Sequence, residues 1–154
     1  MSIRAVLIFS VLSSLFAPMI KDARADEDRR QIQYYVQLVR GNDSAKPPSP
    51  EAKPIGPKLS KQFRVLFKFQ NYWEMRRVQV KLGSGEKAKV RLTKEREVEI
   101  DLTQAGKRRV TAFWEGKSHG TVSGPIGDRM TITGGDRDTG SAWFIVVRRD
   151  PPPD

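Results

Sequence analysis

Cysteine is absent from this sequence, and histidine occurs once, as His119. Without cysteine there is no disulfide, no thiolate nucleophile and no lipid attached through a thiol. Zinc needs three or four His, Cys or carboxylate ligands, so one histidine is too few for such a centre. No GxxxxGK or GxGxxG phosphate loop occurs. No block of five like charges is present, and no period of 20 to 50 residues repeats. These absences set aside cysteine catalysis, zinc chemistry, nucleotide-loop chemistry and solenoid folds. The expectation is no cofactor, no metal and no catalytic residue.

Long apolar runs are scarce as well. One lies at the N-terminus, where Met1-Ser2-Ile3-Arg4 is a basic head and Ala5 to Phe16 carries no charge. Pro18 breaks any helix, and Ala23-Arg24-Ala25 supplies small residues before Asp26. This is the layout of a secretory signal peptide over 1–25. The alternative, a retained anchor, has an uncharged stretch short of the ~20 residues a span needs. The expectation is a secreted or periplasmic protein with no transmembrane span after cleavage. The remainder, 26–154, has 129 residues and suits a single β domain held by its own core.

Residues 1–25 hold Arg4, Lys21, Arg24 and Asp22, so the remainder carries 25 basic and 17 acidic residues, a net of +8. Such a field favours anionic partners. The charges are scattered along the chain, which is also what plain solubility asks of a surface.

The second apolar run organises the chain. Met130-Thr131-Ile132-Thr133, a Gly/Asp turn over Gly134 to Gly140, and Ser141-Ala142-Trp143-Phe144-Ile145-Val146-Val147-Arg148-Arg149 read as a hairpin. Its second arm is apolar on both faces, which suits a central strand covered on both sides. Gln31 to Arg40 alternates, with Ile32, Tyr34, Val36 and Leu38 on the drier face. Residues 44–57 carry Pro47, Pro48, Pro50, Pro54 and Pro57 and read as a proline-rich loop. Pro57 to Phe67 is the one helix, with Leu59, Phe63 and Phe67 in a stripe and Leu66 beside it. It either caps an open end of the sheet or lies on a membrane surface.

Strands follow over Asn71 to Leu82, Lys87 to Leu92, Glu97 to Leu102 and Lys107 to Trp114. Ser118 to Ser123 is a weaker, edge-like strand. The outer faces of the second and third of these are basic (Lys87, Lys89, Arg91) and acidic (Glu97, Glu99, Asp101). Paired antiparallel, they would meet as opposite charges. The pattern implies a mainly β fold: an antiparallel β-sandwich or partly open barrel of seven to eight strands with one short helix.

Candidate chemistry is thin. A Ser-His-Asp arrangement of His119 with Ser118, Ser123 or Ser141 lacks a G-x-S-x-G turn. Asp136-Arg137-Asp138-Thr139-Gly140 begins like a calcium loop, but Gly140 and Val147 stand where later ligands belong. Asp138-Thr139-Gly140 spells the aspartic-protease triplet without the second copy that chemistry needs. Binding residues are more plausible: the pairs Arg76-Arg77, Arg108-Arg109 and Arg148-Arg149, with Trp73 and Trp114 as stacking rings. Trp143 reads as core.

Several segments resemble a group of uncharacterised secreted bacterial β-domain proteins of verrucomicrobial and planctomycete type. They are Tyr34-Tyr35-Val36-Gln37-Leu38-Val39-Arg40-Gly41, Gly56-Pro57-Lys58-Leu59, Tyr72-Trp73-Glu74, Arg96 to Leu102, and Gly134-Gly135-Asp136-Arg137 with Ala142 to Val147. The resemblance implies secretion and brings no activity and no site residues.

The reading that follows is a secreted or periplasmic, non-enzymatic binding module. Its partner is an envelope protein or an anionic polymer, and free sheet edges are the docking route. A hydrolase with an unrecognised site, and a barrel binding single-stranded nucleic acid or glycan, are the alternatives. Export argues against nucleic acid, and no pattern sets an oligomeric state.

Overall fold

A computed structural model describes residues 31–153. The expected signal peptide and the charged stretch up to Arg30 lie outside the described residues. The elements are β1 (Ile32–Asn42), β2 (Lys53–Pro54), α1 (Pro57–Leu66), β3 (Asn71–Leu82), β4 (Lys87–Arg91), β5 (Arg96–Asp101), β6 (Lys107–Trp114), β7 (Lys117–Pro125), β8 (Met130–Asp138) and β9 (Ser141–Arg148). They form a five-stranded antiparallel sheet, β2-β3-β1-β9-β8, and a four-stranded one, β4-β5-β6-β7. The fold is therefore a sandwich. Eight strands have five residues or more, and the two-residue β2 is added at one edge. No helix among the described residues is long and apolar enough to cross a membrane.

Alternation explains the packing. Tyr34, Val36 and Leu38 of β1 and Ile145 and Val147 of β9 face Val98, Ile100 and Val110 of the other sheet. Each such aliphatic stabilises by about 1.5–3 kcal/mol when fully buried. The intervening residues of β9, Phe144 and Val146, point the opposite way, under the helix. So β9 is covered on both faces, as its continuous apolar run requires. The middle of the sheet belongs to β1, with β9 between β1 and the edge strand β8.

The charge-alternating hairpin pairs in the register its sequence implies. Lys87 stands opposite Asp101, Lys89 opposite Glu99 and Arg91 opposite Glu97. The ion pairs form partly on the diagonal: Glu97 binds Arg91 at 3.1 Å and Lys89 at 3.4 Å. The Arg91 hydrogen bond holds the Glu97 carboxyl below its ordinary pKa. Asp101 turns instead to Thr103 and to Arg109 across β6. The Thr103 hydroxyl, then its backbone N–H, then Arg109 hold the Asp101 carboxyl well below the usual carboxylate range.

Four expectations need correction. The helix does not cap an open end of the sheet. It lies on the outer face of the five-stranded sheet, where Leu59 and Phe63 pack on Val39, Tyr72, Phe144 and Val146. Leu66 is not part of the packed stripe; it is 61% exposed. Gly134 and Gly135 are not turn residues. They lie within β8 at a bulge, both at positive φ, while Thr139-Gly140 alone make the turn. A Cβ at Gly134 would stand 3.3 Å from the Trp143 carbonyl oxygen, so the bulge calls for glycine there. The proline-rich loop also gives more to the sheet than expected: Lys53 and Pro54 pair with Glu74 and Trp73. Proline is tolerated there because β2 is an edge.

Candidate functional site

The eight binding residues expected from sequence do not meet in one place. Arg108 is buried and donates to the Asp128 carbonyl at 2.8 Å and the Thr131 hydroxyl at 2.6 Å. Its guanidinium lies 5.5 Å from the Tyr34 ring centre. Arg77 binds Glu74 at 2.9 Å, and the same carboxylate accepts from the buried Gln37. Arg109 binds Asp101. Trp73 is buried and donates its indole N–H to Asn42 Oδ1 at 3.2 Å. Arg76 and Arg149 are exposed, Arg148 is half-buried, and Trp114 is 36% exposed. The register separates them as well. Arg148 lies opposite Tyr35 near the start of β1, whereas Trp73 lies opposite Arg40 near its end.

What does come together at the latter end is a stack that sequence reasoning missed. The Arg96 guanidinium lies 4.3 Å from the Trp143 ring centre and 5.7 Å from that of Trp114. Arg40 covers Trp143 at 5.1 Å, and the His119 ring lies 5.3 Å from Trp114. The stack runs from one sheet to the other and closes the mouth of the inner core. Each cation–π contact contributes about 0.5–1 kcal/mol.

Bulges mark this end. Met75, His119 and Gly135 are the extra residues at the three register breaks. Met75 is two residues from Trp73, His119 lies on Trp114, and Gly135 lies across from the Phe144–Trp143 step. A bulge re-aims side chains where a strand would otherwise alternate. His119 is spent on the Trp114 ring, and among the described residues no hydrogen bond joins it to Ser118, Ser123 or Ser141. The Ser141 hydroxyl accepts from Arg40 at 3.1 Å. Among the described residues no group of three His, Cys, Asp or Glu side chains is placed to hold a metal.

The better-formed site lies on the outer face, along β8. Helix α1 ends at Leu66, and the following N–H of Phe67 closes it on the Phe63 carbonyl at 2.7 Å. The helix leaves Val65 82% and Leu66 61% exposed. These two face Met130 and Ile132 of β8 across a groove of about 370 Å³, with Lys61 and Gln62 on its rim. Leu66 also lines the next space, about 460 Å³, walled by Phe67, Phe69, Phe144 and Ala142. Lys68, Arg137 and Asp138 stand around it. Together they make an apolar trough between α1, with its trailing loop, and β8.

The trough exists because the helix packs with only part of its surface. Phe63 meets Phe67, Tyr72 and Phe144 at ring-centre distances of 5.3, 5.0 and 5.2 Å. That cluster fixes α1 over β1, β3 and β9, and Met130 and Ile132 of β8 pack only at its margin, half-buried. The close approach of Phe69 and Tyr72 needs Gly41, where a Cβ would fall 2.8 Å from Phe69. Compared with protein-family models, curated proteins and solved structures, the chain matches none. The trough must therefore be interpreted from its own chemistry. β8 is hydrogen-bonded to β9 and, among the described residues, to no other strand. An edge offers unpaired N–H and C=O groups to an incoming chain. The signal in the sequence was Val65, an apolar residue on the side of the helix opposite its stripe.

Proposed function

We propose that this protein is a secreted or periplasmic, non-catalytic binding module that takes a protein partner at the β8 edge, by strand addition beside α1. The observation that carries this reading is one coincidence: an edge strand paired on one side only, with an apolar trough along its outer face. Main-chain groups of β8 supply hydrogen bonds, and the trough supplies burial for alternate side chains of the guest. An anionic polymer is the weaker partner. Arg77, Arg108 and Arg109, three of its expected contacts, already bind Glu74, Asp128 with Thr131, and Asp101. The resemblance to secreted β-domain proteins supports export and names no site.

The test is recovery of a partner from envelope extract by the wild-type protein and by a form carrying Leu66→Glu and Ile132→Lys. The charged form is expected to lose a partner that the wild type retains in high salt. Equal recovery by both forms would sink the reading.

A further inference from the structure

The walls of the trough narrow the partner further, on the strand-addition reading just given. Helix α1 contains no acidic residue. Lys61 stands at the end of the trough marked by Met130, and Lys68 and Arg137 stand at the end marked by Gly135. Among the described side chains Asp138 is the only acid lining it, and its carboxylate lies 4.0 Å from Arg40. Between the two basic ends the lining is Val65, Leu66, Met130 and Ile132, then Phe67 and Phe144. The order along β8 is cation, apolar, apolar, cation.

That order selects among occupants. Lipid tails would fill the apolar middle but leave the β8 backbone groups without hydrogen-bond partners. A second copy would bring the same lysines and arginines against these, and like charges facing each other across an interface oppose binding. A chain of opposite charge has neither fault. We infer that the trough takes an extended acidic segment of a partner protein. On one face that segment carries acid, apolar, apolar, acid at every second position, a repeat of about 7 Å. One acid meets Lys61, and the other meets Lys68 and Arg137. The bulge at Gly135 interrupts the β8 edge, so backbone pairing is confined to Met130–Gly134. Past that point the guest is held by its side chain in the 460 Å³ space.

The experiment uses the whole protein and a blocked seven-residue peptide. Glutamate, valine, valine and glutamate occupy the odd positions of the peptide, and threonine lies between them. Three probes accompany it: the same peptide with lysine for glutamate, the same with threonine for valine, and vesicles of anionic lipid. Binding is titrated at low and high salt, and amide exchange is followed along β8. The glutamate peptide is expected to bind roughly tenfold tighter than the lysine peptide at low salt, the combined effect of three exposed charge contacts. It should slow exchange over Met130–Gly134, lose its advantage in high salt, and fail to bind the Leu66→Glu protein.

If Leu66→Glu shifts the urea midpoint, Val65→Glu replaces it, at a position 82% exposed. Equal binding by the lysine peptide, with the same β8 protection, would overturn the acidic partner and leave strand addition standing. Tight binding by the threonine-for-valine peptide would overturn the inference as charge attraction alone. No β8 protection by any peptide would remove strand addition and the inference with it. Vesicle binding lost in Leu66→Glu, with no peptide bound, would do the same and assign the trough to lipid.

Discussion

The two faces of the five-stranded sheet are covered by different means. The inner face meets a second sheet, and its core is mostly aliphatic: Val36, Leu38, Ile145 and Val147 against Val98, Ile100 and Val110. The outer face meets a ten-residue helix and the loop behind it, and its core sets a ring cluster, Phe63, Phe67, Phe69, Tyr72 and Phe144, among aliphatics such as Val39, Leu59 and Val146. The four-stranded sheet nearly matches the width of the five strands it covers. A ten-residue helix is only about 15 Å long, one rod across five strands. Large rings extend its reach over β3, β1 and β9, but β8 is covered only in part, with Met130 and Ile132 half-buried. Apolar surface thus stays open where the cover ends, which is why the proposed docking site is on the outer face. The stable scaffold is the inner one.

The largest effect should come from cutting the inner core. Ile100→Ala, fully buried between the sheets, is expected to cost about 3 kcal/mol in one cooperative urea transition. A separate early transition in which β5 and β6 loosen alone would break the contrast.

Phe63→Ala tests the other side. In a closed core a buried phenylalanine truncation costs about 4 kcal/mol. Here the helix can lift away while the sandwich stays, so the global loss should stop near about 2 kcal/mol. Amide exchange should quicken over 57–70 and stay slow in β5 and β6. Uniformly faster exchange would show that the two faces unfold as one.

The smallest effect sharpens the contrast through pH. Burial raises the pKa of the Tyr72 phenol, whose O–H donates to the Phe63 carbonyl at 3.3 Å. The folded state therefore favours the neutral phenol. Its contribution is whole below about pH 10 and is lost as pH rises through the raised value. Tyr72→Phe should cost about 0.5–1 kcal/mol at neutral pH. Amide exchange over α1 should quicken at alkaline pH in the wild type and lose that pH dependence in the variant. Unchanged alkaline loosening in the variant would assign it elsewhere.

The parts of this fold legible in the sequence are those set by neighbours. Strands β3 and β6 have the expected bounds, because alternation and glycine turns are local signals. The Lys/Arg face of β4 meets the Glu/Asp face of β5 because one short turn fixes the register. The helix begins at Pro57 as expected. What stayed hidden depends on partners far along the chain. That β1 lies between β3 and β9 cannot be read from β1 itself. Arg40 and Arg96 look like ordinary surface charges until the two sheets bring Trp143 between them. Arg108 looked like a ligand arginine and is a core residue, because alternation places it beside Val110 and Ala112. The bulges at Met75, His119 and Gly135 add one residue each, which no periodicity count detects. The trough needed the place of α1 relative to β8, and nothing local sets that.

The pairing of the first and last long strands has a mechanical consequence. Tyr35 lies opposite Arg148, so the chain enters β1 and leaves β9 at the same end of the sandwich. Tension applied across those two points would peel their ladder apart one hydrogen bond at a time, since antiparallel bonds run perpendicular to the strands. Such a domain yields at low force. It is a poor link in a load-bearing chain, and its tryptophan-bearing tip lies at the end of the sandwich remote from both points of pull.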